Sequence, residues 1–280
     1  CCFPITNITL KEKIKSIQDE AEAAVLSGKQ HIILTDINAN NENVSVPMIL
    51  ATAAVHSSLT RKGIRSFISL HVQSAECLDT HYFAVLIGVG ATTVNPYLAQ
   101  ECIRERHEKG LFGNYSYEEC VGRFKKAVDQ GLLKIMAKLG ISVVSAYRGG
   151  FNFEVVGLSR SMVNEYFIGV QSRISGIGLS GIEYKIKELH RYAFSGDVAT
   201  LPIGGIYRYR NGGEAHAYDG KLIHLLQTAV SKNSYDMFKT YSESHKNFSP
   251  INIRDLLEFK SNHNSKNIND VESITSIRKR

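Results

Sequence analysis

Apolar residues recur along the first half of this chain in two alternating patterns. Leu10, Ile14, Ile17, Ala21 and Val25 are three or four residues apart, which predicts one face of a helix that Gly28 can end. The short apolar run at 31–35 then predicts a strand. The alternation continues with helices at 46–60, 79–87, 97–108 and 117–139 and strands at 66–72, 92–95 and 141–145. Strands and helices that alternate at this spacing predict an α/β fold with βαβ units and a mainly parallel sheet, because parallel neighbours need a crossover.

The pattern changes after Gly150. We expect short helices at 151–156 and 161–167 and a longer helix at 182–193. A shift in composition at 195–205 predicts a domain boundary, and Asn211-Gly212-Gly213 between 206–210 and 214–218 predicts a hairpin. Helices at 221–232 and up to 241 follow, and the run 261–270 has the composition of a flexible polar linker. The predicted organisation is an α/β domain at 1–195, a hairpin with helices at 196–260 and a polar tail at 261–280.

Composition and charge exclude several classes of function. The 280 residues, 43% of them hydrophobic, can bury a sizeable core, and no window is apolar enough for a membrane helix. The net charge of +6 is spread along the chain and ends in Arg278-Lys279-Arg280, which is more typical of a solvated tail than of a nucleic-acid surface. We therefore expect neither a membrane nor a nucleic acid as partner.

The five cysteines are widely spaced and form no Cys-x-x-Cys pair. This spacing predicts no disulfide framework, no zinc site and no iron–sulfur site, and it indicates a reducing intracellular compartment. Cys1 is a formal candidate for an N-terminal nucleophile, but its sequence context lacks the glycines that such a site needs. The histidines have no metal-ligand spacing and are interpreted as structural.

One motif carries a recognised chemical meaning. Gly176, Gly178 and Gly181 form Gly-x-Gly-x-x-Gly, the pattern in which glycines let a backbone approach a dinucleotide pyrophosphate. The motif requires a strand before it and an acidic residue at the end of a second strand, and neither is predicted here. We therefore favour a glycine-rich bend that passes close to another surface, with a nucleotide-dependent enzyme as the alternative function.

Several blocks taken together resemble the central region of glutamate synthase, in the same order along the chain. They include VPMILATAAVHSSL at 46–59, FAVLIGVGATTVNPY at 83–97, GLLKIMAKLGISVVSAYRGG at 131–150, SRISGIGL at 172–179, HRYAF at 190–194 and GGIYRYRNGGEAH at 204–216. The resemblance covers most of the chain. Ser57-Ser58 departs from a histidine pair that is common in the family at this point.

This resemblance implies a four-part enzyme. An amidotransferase domain releases ammonia from glutamine, a central domain follows, an FMN-binding barrel with an iron–sulfur cluster comes next, and a β-helix ends the chain. The family makes two glutamates from glutamine and 2-oxoglutarate, with electrons from NAD(P)H or ferredoxin, in the cytoplasm or a plastid. Its central domain is a rudimentary, incomplete barrel, and ammonia crosses between the two active centres through an internal tunnel.

The resemblance places this chain in the central domain and implies that its partners are the flanking amidotransferase and FMN domains. None of the family's catalytic, cofactor or metal-binding residues matches a position here, so we expect a piece of a longer enzyme that is inactive alone and spaces the two centres. A non-catalytic interaction fragment is the remaining alternative. The expected tunnel or interface residues lie in one turn and one bend: Tyr147, Arg148, Gly149, Gly150, Ser172, Arg173, Gly176 and Gly178.

Overall fold

The computed structural model describes residues 1–196, 203–246, 250–260 and 266–280. The chain forms two compact units, Cys1–Val198 and Ala199–Arg280, and each is described by itself. The first unit contains β1 (Cys2–Pro4), α1 (Leu10–Leu26), β2 (His31–Thr35), β3 (Asn43–Ser45), α2 (Met48–Arg61), β4 (Ser69–Gln73), α3 (Thr80–Gly88), β5 (Thr93–Asn95), α4 (Tyr97–Glu108), α5 (Tyr117–Leu139), α6 (Val144–Tyr147), α7 (Arg160–Tyr166) and α8 (Leu179–Phe194). No helix in the described ranges has the length and apolarity needed to cross a membrane.

A three-stranded parallel sheet lies in the first unit. Its order is β2-β4-β5, with α2 and α3 as the two crossovers, so each strand pairs with the strand that comes next in the parallel series. The predicted α/β class, the parallel pairing and the strands near 31–35, 66–72 and 92–95 are confirmed. A separate antiparallel pair joins β1 to β3. The described strands form an open sheet and not a closed barrel.

The two faces of the parallel sheet differ in burial. Leu34, Leu70 and Val72 point to the helix-covered side and belong to the main hydrophobic core. The alternate residues point the other way, because successive side chains of a strand lie on opposite faces. On that side Ile33 is 65% exposed, and Thr93 is exposed as well. Among the described residues of this unit, helices therefore cover only one face of the sheet.

Helix α2 is the most buried helix of this unit, with nine of its fourteen residues in the core. Pro47 occupies the N-cap position of α2 and supplies no side-chain acceptor. The carboxylate of Glu76 takes this role, because its Oε2 accepts a hydrogen bond of 2.9 Å from the Met48 amide. The hydroxyl of Tyr82 donates to the same oxygen.

Two predictions within the first unit are wrong. Residues 141–145 form no strand, since Gly140 ends α5 in the left-handed conformation and α6 begins at Val144. A short apolar run does not distinguish a strand from a helix, and Val143 is 54% exposed without a neighbouring strand. Residues 151–156 are not helical either, because Val155 and Gly157 donate their amides to the carbonyls of Gln171 and Ile174. The remaining helices predicted in this unit are confirmed to within a few residues.

The second unit is built mainly of helices. It contains α9 (Gly220–Ser231), α10 (Tyr235–Lys246), α11 (Ile274–Lys279) and 3₁₀ turns at Ile253–Leu256 and Ile268–Asp270, and α9 packs against α10. Of its described hydrophobic residues only Leu222 and Ala229 are buried. The predicted boundary at 195–205 and the predicted linker at 261–270 lie partly outside the described residues.

The predicted hairpin of the second unit is wrong. Residues 203–219 contain no strand, although the amide of Gly213 donates to the Arg210 carbonyl and closes a turn. The amide of Glu214 donates to the carbonyl of Gly204, and the ring of His216 bonds the carbonyl of Gly205. This glycine-rich segment therefore forms a compact loop and not a β-hairpin.

Candidate functional site

The turn at 147–150 is fixed to the end of α3. The amides of Gly149 and Phe151 donate to the carbonyls of Ile87 and Gly88, each at 3.1 Å. Tyr147 is 4% exposed and packs with Ala84 and Met136 in a small hydrophobic cluster, and burial raises the pKa of its phenol. The turn therefore has one buried anchor, while Arg148 beside it is exposed.

Two glycines lie against the imidazole of His56. A Cβ added to Gly90, whose φ is +112°, would lie 2.1 Å from His56 Nδ1. A Cβ added to Gly149, whose φ is +71°, would lie 2.9 Å from Cε1 of the same ring. The ring of Phe151 also packs near it, with centroids 5.7 Å apart. Both glycines are thus required by their backbone conformation and by the close approach of the ring.

Arg65 connects His56 to the edge of the sheet. Its Nε donates to His56 Nδ1 at 3.0 Å, its Nη1 donates to the Ile68 carbonyl at 2.7 Å and its Nη2 donates to the Gly90 carbonyl at 2.8 Å. Since Nδ1 of His56 accepts, the neutral ring carries its proton on Nε2. Burial, with help from Arg65 and Arg148, lowers the pKa of His56 from 6.5 to about 4.

The bend at 172–178 is held by the segment that precedes α7. The Ser172 hydroxyl donates to the Leu158 carbonyl at 3.0 Å, and the guanidinium of Arg160 donates to the carbonyls of Ser172 and Arg173. Arg173 Nε lies 2.8 Å from Glu154 Oε1 in an exposed ion pair. These contacts position backbone groups and leave no charged side chain of the bend unpaired.

The glycines of Gly-x-Gly-x-x-Gly contact the protein's own chain. A Cβ on Gly176 would lie 2.1 Å from the Gly157 carbonyl oxygen, and a Cβ on Gly181 would lie 2.9 Å from Cβ of Ile177. Gly178 is the N-cap of α8, and its added Cβ would lie 3.4 Å from Ser159 Oγ. An isolated bridge between Leu158 and Ile177 precedes the helix instead of a strand of the parallel sheet. The close approach that these glycines permit is between two segments of this unit.

The predicted residues therefore fall into two groups. One is the turn 147–150 beside His56, and the other is the bend 172–178. No hydrogen bond or ion pair joins the two groups directly within the described ranges, and residues 151–159 lie between them in sequence and pair with the bend. His56 and Arg65 are the residues that sequence reasoning missed, because nothing in the local sequence links them to Arg148.

The described residues form neither a metal-binding site nor a reactive thiol site. No group of three histidine, cysteine, aspartate or glutamate side chains is close enough there to hold a metal ion. All five cysteines are free, and burial raises the pKa of the Cys77 thiol to about 12. Cys77 is therefore a protonated core residue and not a reactive thiolate.

Comparison with known proteins identifies the family. The family model described as the glutamate synthase central domain matches residues 1–159, which is more than half of the chain. This chain belongs to the glutamate synthase central domain family. The glutamate synthase resemblance inferred from the blocks is thus confirmed, and the turn 147–150 lies inside the matched region.

Relatives of this glutamate synthase central domain match along nearly the whole chain. The glutamate synthase [NADPH] large chain of Azospirillum brasilense is 54% identical over 271 residues, and that of Bacillus subtilis is 39% identical over 272 residues. The ferredoxin-dependent glutamate synthase of Pyropia yezoensis is 36% identical over 280 residues. The matches cover 95–97% of this chain and 18% of each of these relatives, so the chain spans less than a fifth of their length.

Proposed function

We propose that this chain acts as the central domain of a glutamate synthase, linking a glutamine amidotransferase domain to an FMN-containing synthase domain and helping to wall the ammonia path. The parent reaction transfers the amide nitrogen of glutamine reductively to 2-oxoglutarate and gives two glutamates. Electrons come from NAD(P)H or from ferredoxin; the names of the relatives include NADPH and ferredoxin. The family match and the alignment along nearly the whole chain support this proposal.

The uncovered face of the parallel sheet supports the proposed contact with a flanking domain. Parallel sheets are normally covered on both faces, whereas here Ile33 is 65% exposed on the face opposite the helices. Two further large apolar side chains near the ends of these strands are exposed, Ile37 after β2 at 52% and Phe67 before β4 at 66%. Apolar surface of this kind is typical of an interface, and a flanking domain of the parent enzyme is the proposed partner.

The strand order supports the rudimentary barrel. In a (β/α) barrel each strand pairs with the next one along the chain and the helices lie outside. The order β2-β4-β5, with α2 and α3 on the covered side, repeats this arrangement over three strands. The uncovered face then corresponds to the interior of an incomplete barrel. We propose the domain boundaries as 1–195 for this barrel-like part, 196–260 for the following helices and 261–280 for the tail.

The ammonia path is proposed to run past the turn 147–150 and the bend 172–178. Ammonia is small and uncharged, so its path needs walls with small residues and few free charges. Gly149, Gly150, Gly176 and Gly178 supply the small residues. The charge of Arg173 is matched by Glu154, which leaves Arg148 as the one unpaired charge of these two segments among the described residues.

The cofactors of the parent enzyme are proposed to lie in its other domains. An iron–sulfur cluster needs several cysteine ligands together, and the described residues bring no three potential ligands into one place. These residues thus do not fit the cluster. The space beside Gly176 and Gly181, where a flavin phosphate could have approached the backbone, is occupied by Gly157 and Ile177. The free cysteines are compatible with a reducing compartment, the cytoplasm or a plastid.

The test uses a full-length synthase that contains this chain and compares two substitutions of exposed apolar residues. Ile33→Glu lies on the uncovered face, and Leu26→Glu lies at the end of α1, where the side chain is 72% exposed. Glutamate formed per glutamine hydrolysed should fall, with free ammonia released, in Ile33→Glu and not in Leu26→Glu. Equal coupling in both variants would contradict the interface. Release of ammonia from glutamine by the isolated chain, or stoichiometric FMN binding to it, would contradict the non-catalytic role.

A further inference from the structure

A cleft of about 760 Å³ opens beside His56, on the side of the unit where α2 ends. Arg65 and Arg148 both line it, together with hydroxyl-bearing side chains that include Thr60, Ser66 and Ser69. No aspartate or glutamate is among the described residues that line this cleft. The cleft therefore concentrates positive charge and hydrogen-bond donors without an acidic counterpart.

Arg65 and Arg148 could each bind a ligand, but they differ in how firmly their side chains are held. Arg65 is held by three hydrogen bonds, all to neutral acceptors, so its charge is not compensated and two of its five N–H groups remain available. Arg148 is exposed and makes no side-chain hydrogen bond or ion pair within the described residues. The Arg65 guanidinium is thus held in place in the wall of the cleft, whereas the exposed Arg148 guanidinium can move to contact a bound ligand.

His56 contributes a third donor. Its Nδ1 accepts from Arg65, so the proton of the neutral ring lies on Nε2. That atom would be 3.1 Å from a Cβ on Gly149, which places it directly under the turn that carries Arg148. The lowered pKa of His56 is a consequence of the same arrangement, since burial and two nearby guanidinium groups disfavour a further positive charge.

We propose that the cleft of His56, Arg65 and Arg148 is a binding site for a small oxyanion of the carboxylate or phosphate class. An anion would offset the repulsion between the two guanidinium groups and accept hydrogen bonds from both, as planar guanidinium groups do with carboxylates and phosphates. The site does not depend on the proposed role in ammonia transfer. Its lining does not include Ile33, although His31 and Ser69, which line it, lie on the same face of the sheet as Ile33.

The experiment titrates the 280-residue chain with inorganic phosphate and with succinate at constant ionic strength, using sodium chloride as the control salt. Two-dimensional ¹H–¹⁵N spectra report on the amides of Gly90 and Gly149, which contact the His56 ring. We expect saturable shifts at these two amides. Arg148→Gln should weaken binding about tenfold or more, the effect of losing a charge-assisted hydrogen bond. Arg106→Gln, which removes an exposed arginine on α4, should change it less than twofold.

A further arm identifies the source of the anion. An N-acetylated Gly-Asp-Gly amide presents a carboxylate on a peptide: tighter binding than succinate supports an oxyanion supplied by a protein side chain, and weaker binding supports a free ion. Both outcomes support an oxyanion site. Absence of saturable shifts with all three probes, or equal affinity of wild type and Arg148→Gln, would overturn it. Because Arg148 is exposed, loss of folding does not confuse the result, and a circular dichroism spectrum of each variant checks this.

Discussion

Gly90 is the position at which a single added carbon should do most damage. Its φ of +112° is a backbone conformation that residues with side chains rarely adopt, and its ideal Cβ lies 2.1 Å from Nδ1 and 2.5 Å from Cγ of His56. The Gly90→Ala change therefore strains the backbone and displaces the imidazole. Displacement breaks the bond from Arg65 Nε to Nδ1, since that bond needs the ring in its present place.

The expected cost has two parts. Forcing a non-glycine residue into a sparsely populated backbone region costs about 1–3 kcal/mol. Losing a hydrogen bond that involves a charged group costs about 1.5–3 kcal/mol. We expect Gly90→Ala to lower the free energy of unfolding by roughly 3–5 kcal/mol. The matched control is Gly63→Ala, where φ is +70° and no atom lies within 4 Å of the added Cβ, so only the strain of about 1–2 kcal/mol remains.

Urea unfolding of the 280-residue chain at pH 7.5, followed by circular dichroism, measures both variants. The double variant Gly90→Ala/His56→Ala separates clash from strain, because the added methyl group then has an empty space to enter. The double variant should be at least 1 kcal/mol more stable than the sum of the two single changes predicts, as expected for residues in contact. If Gly90→Ala costs no more than Gly63→Ala, or if the two changes at Gly90 and His56 are additive, the packing argument is wrong.

Three further predictions follow from buried groups of the first unit. Because the pKa of His56 falls from 6.5 to about 4 on folding, the unfolded chain binds more protons between these values, so stability should drop as the pH falls through that window. The drop should be about 2–3 kcal/mol in urea unfolding, and it should vanish in His56→Gln but persist in the exposed-residue control His81→Gln. Glu76→Ala removes the acceptor for the first amide of α2 and should cost about 2–3 kcal/mol, whereas the exposed Glu42→Ala should cost less than about 0.5 kcal/mol by the same assay. Leu59→Ala empties a fully buried site and should lower the free energy of unfolding by about 2–5 kcal/mol; a smaller loss would mean that the core around α2 collapses into the space.

Elements with a consistent pattern and explicit end signals could be predicted from the sequence. Helix α5 spans Tyr117–Leu139 as expected, because its apolar stripe lies between a capping box of Ser116 with Glu119 and the left-handed Gly140. All of these signals lie within the helix or next to it. The parallel sheet could be predicted for a related reason, since the alternation of helices and strands leaves few other ways to pair the strands.

The failures concern segments whose structure depends on a distant partner. Residues 141–145 are apolar enough for a strand, but they pair with no described strand, and the amide of Ile141 donates back to the carbonyl of Met136. The Asn211-Gly212 turn forms without a hairpin, because pairing needs two strands and the local signal describes only the turn. The candidate site likewise depends on residues that are distant in sequence. Arg148 stands out beside two glycines, whereas its neighbours His56 and Arg65 are brought to it by α2 and by the 3₁₀ turn Arg65–Phe67 before β4, which no local pattern reveals.

The topology of the sheet also bears on the choice between a glutamate synthase domain and a nucleotide-dependent enzyme, the two enzyme classes that the sequence left open. Dinucleotides bind open parallel sheets at a point where the strand order reverses, because the loops there diverge and leave a crevice. The order β2-β4-β5 runs in one direction over the described strands, and the glycine motif lies at the start of α8, which follows no strand of this sheet directly. The nucleotide interpretation therefore lacks both the crevice and the strand it requires. A one-directional order with helices on one face is instead compatible with the incomplete barrel proposed for this domain, in which the face around Ile33 would be the inner one.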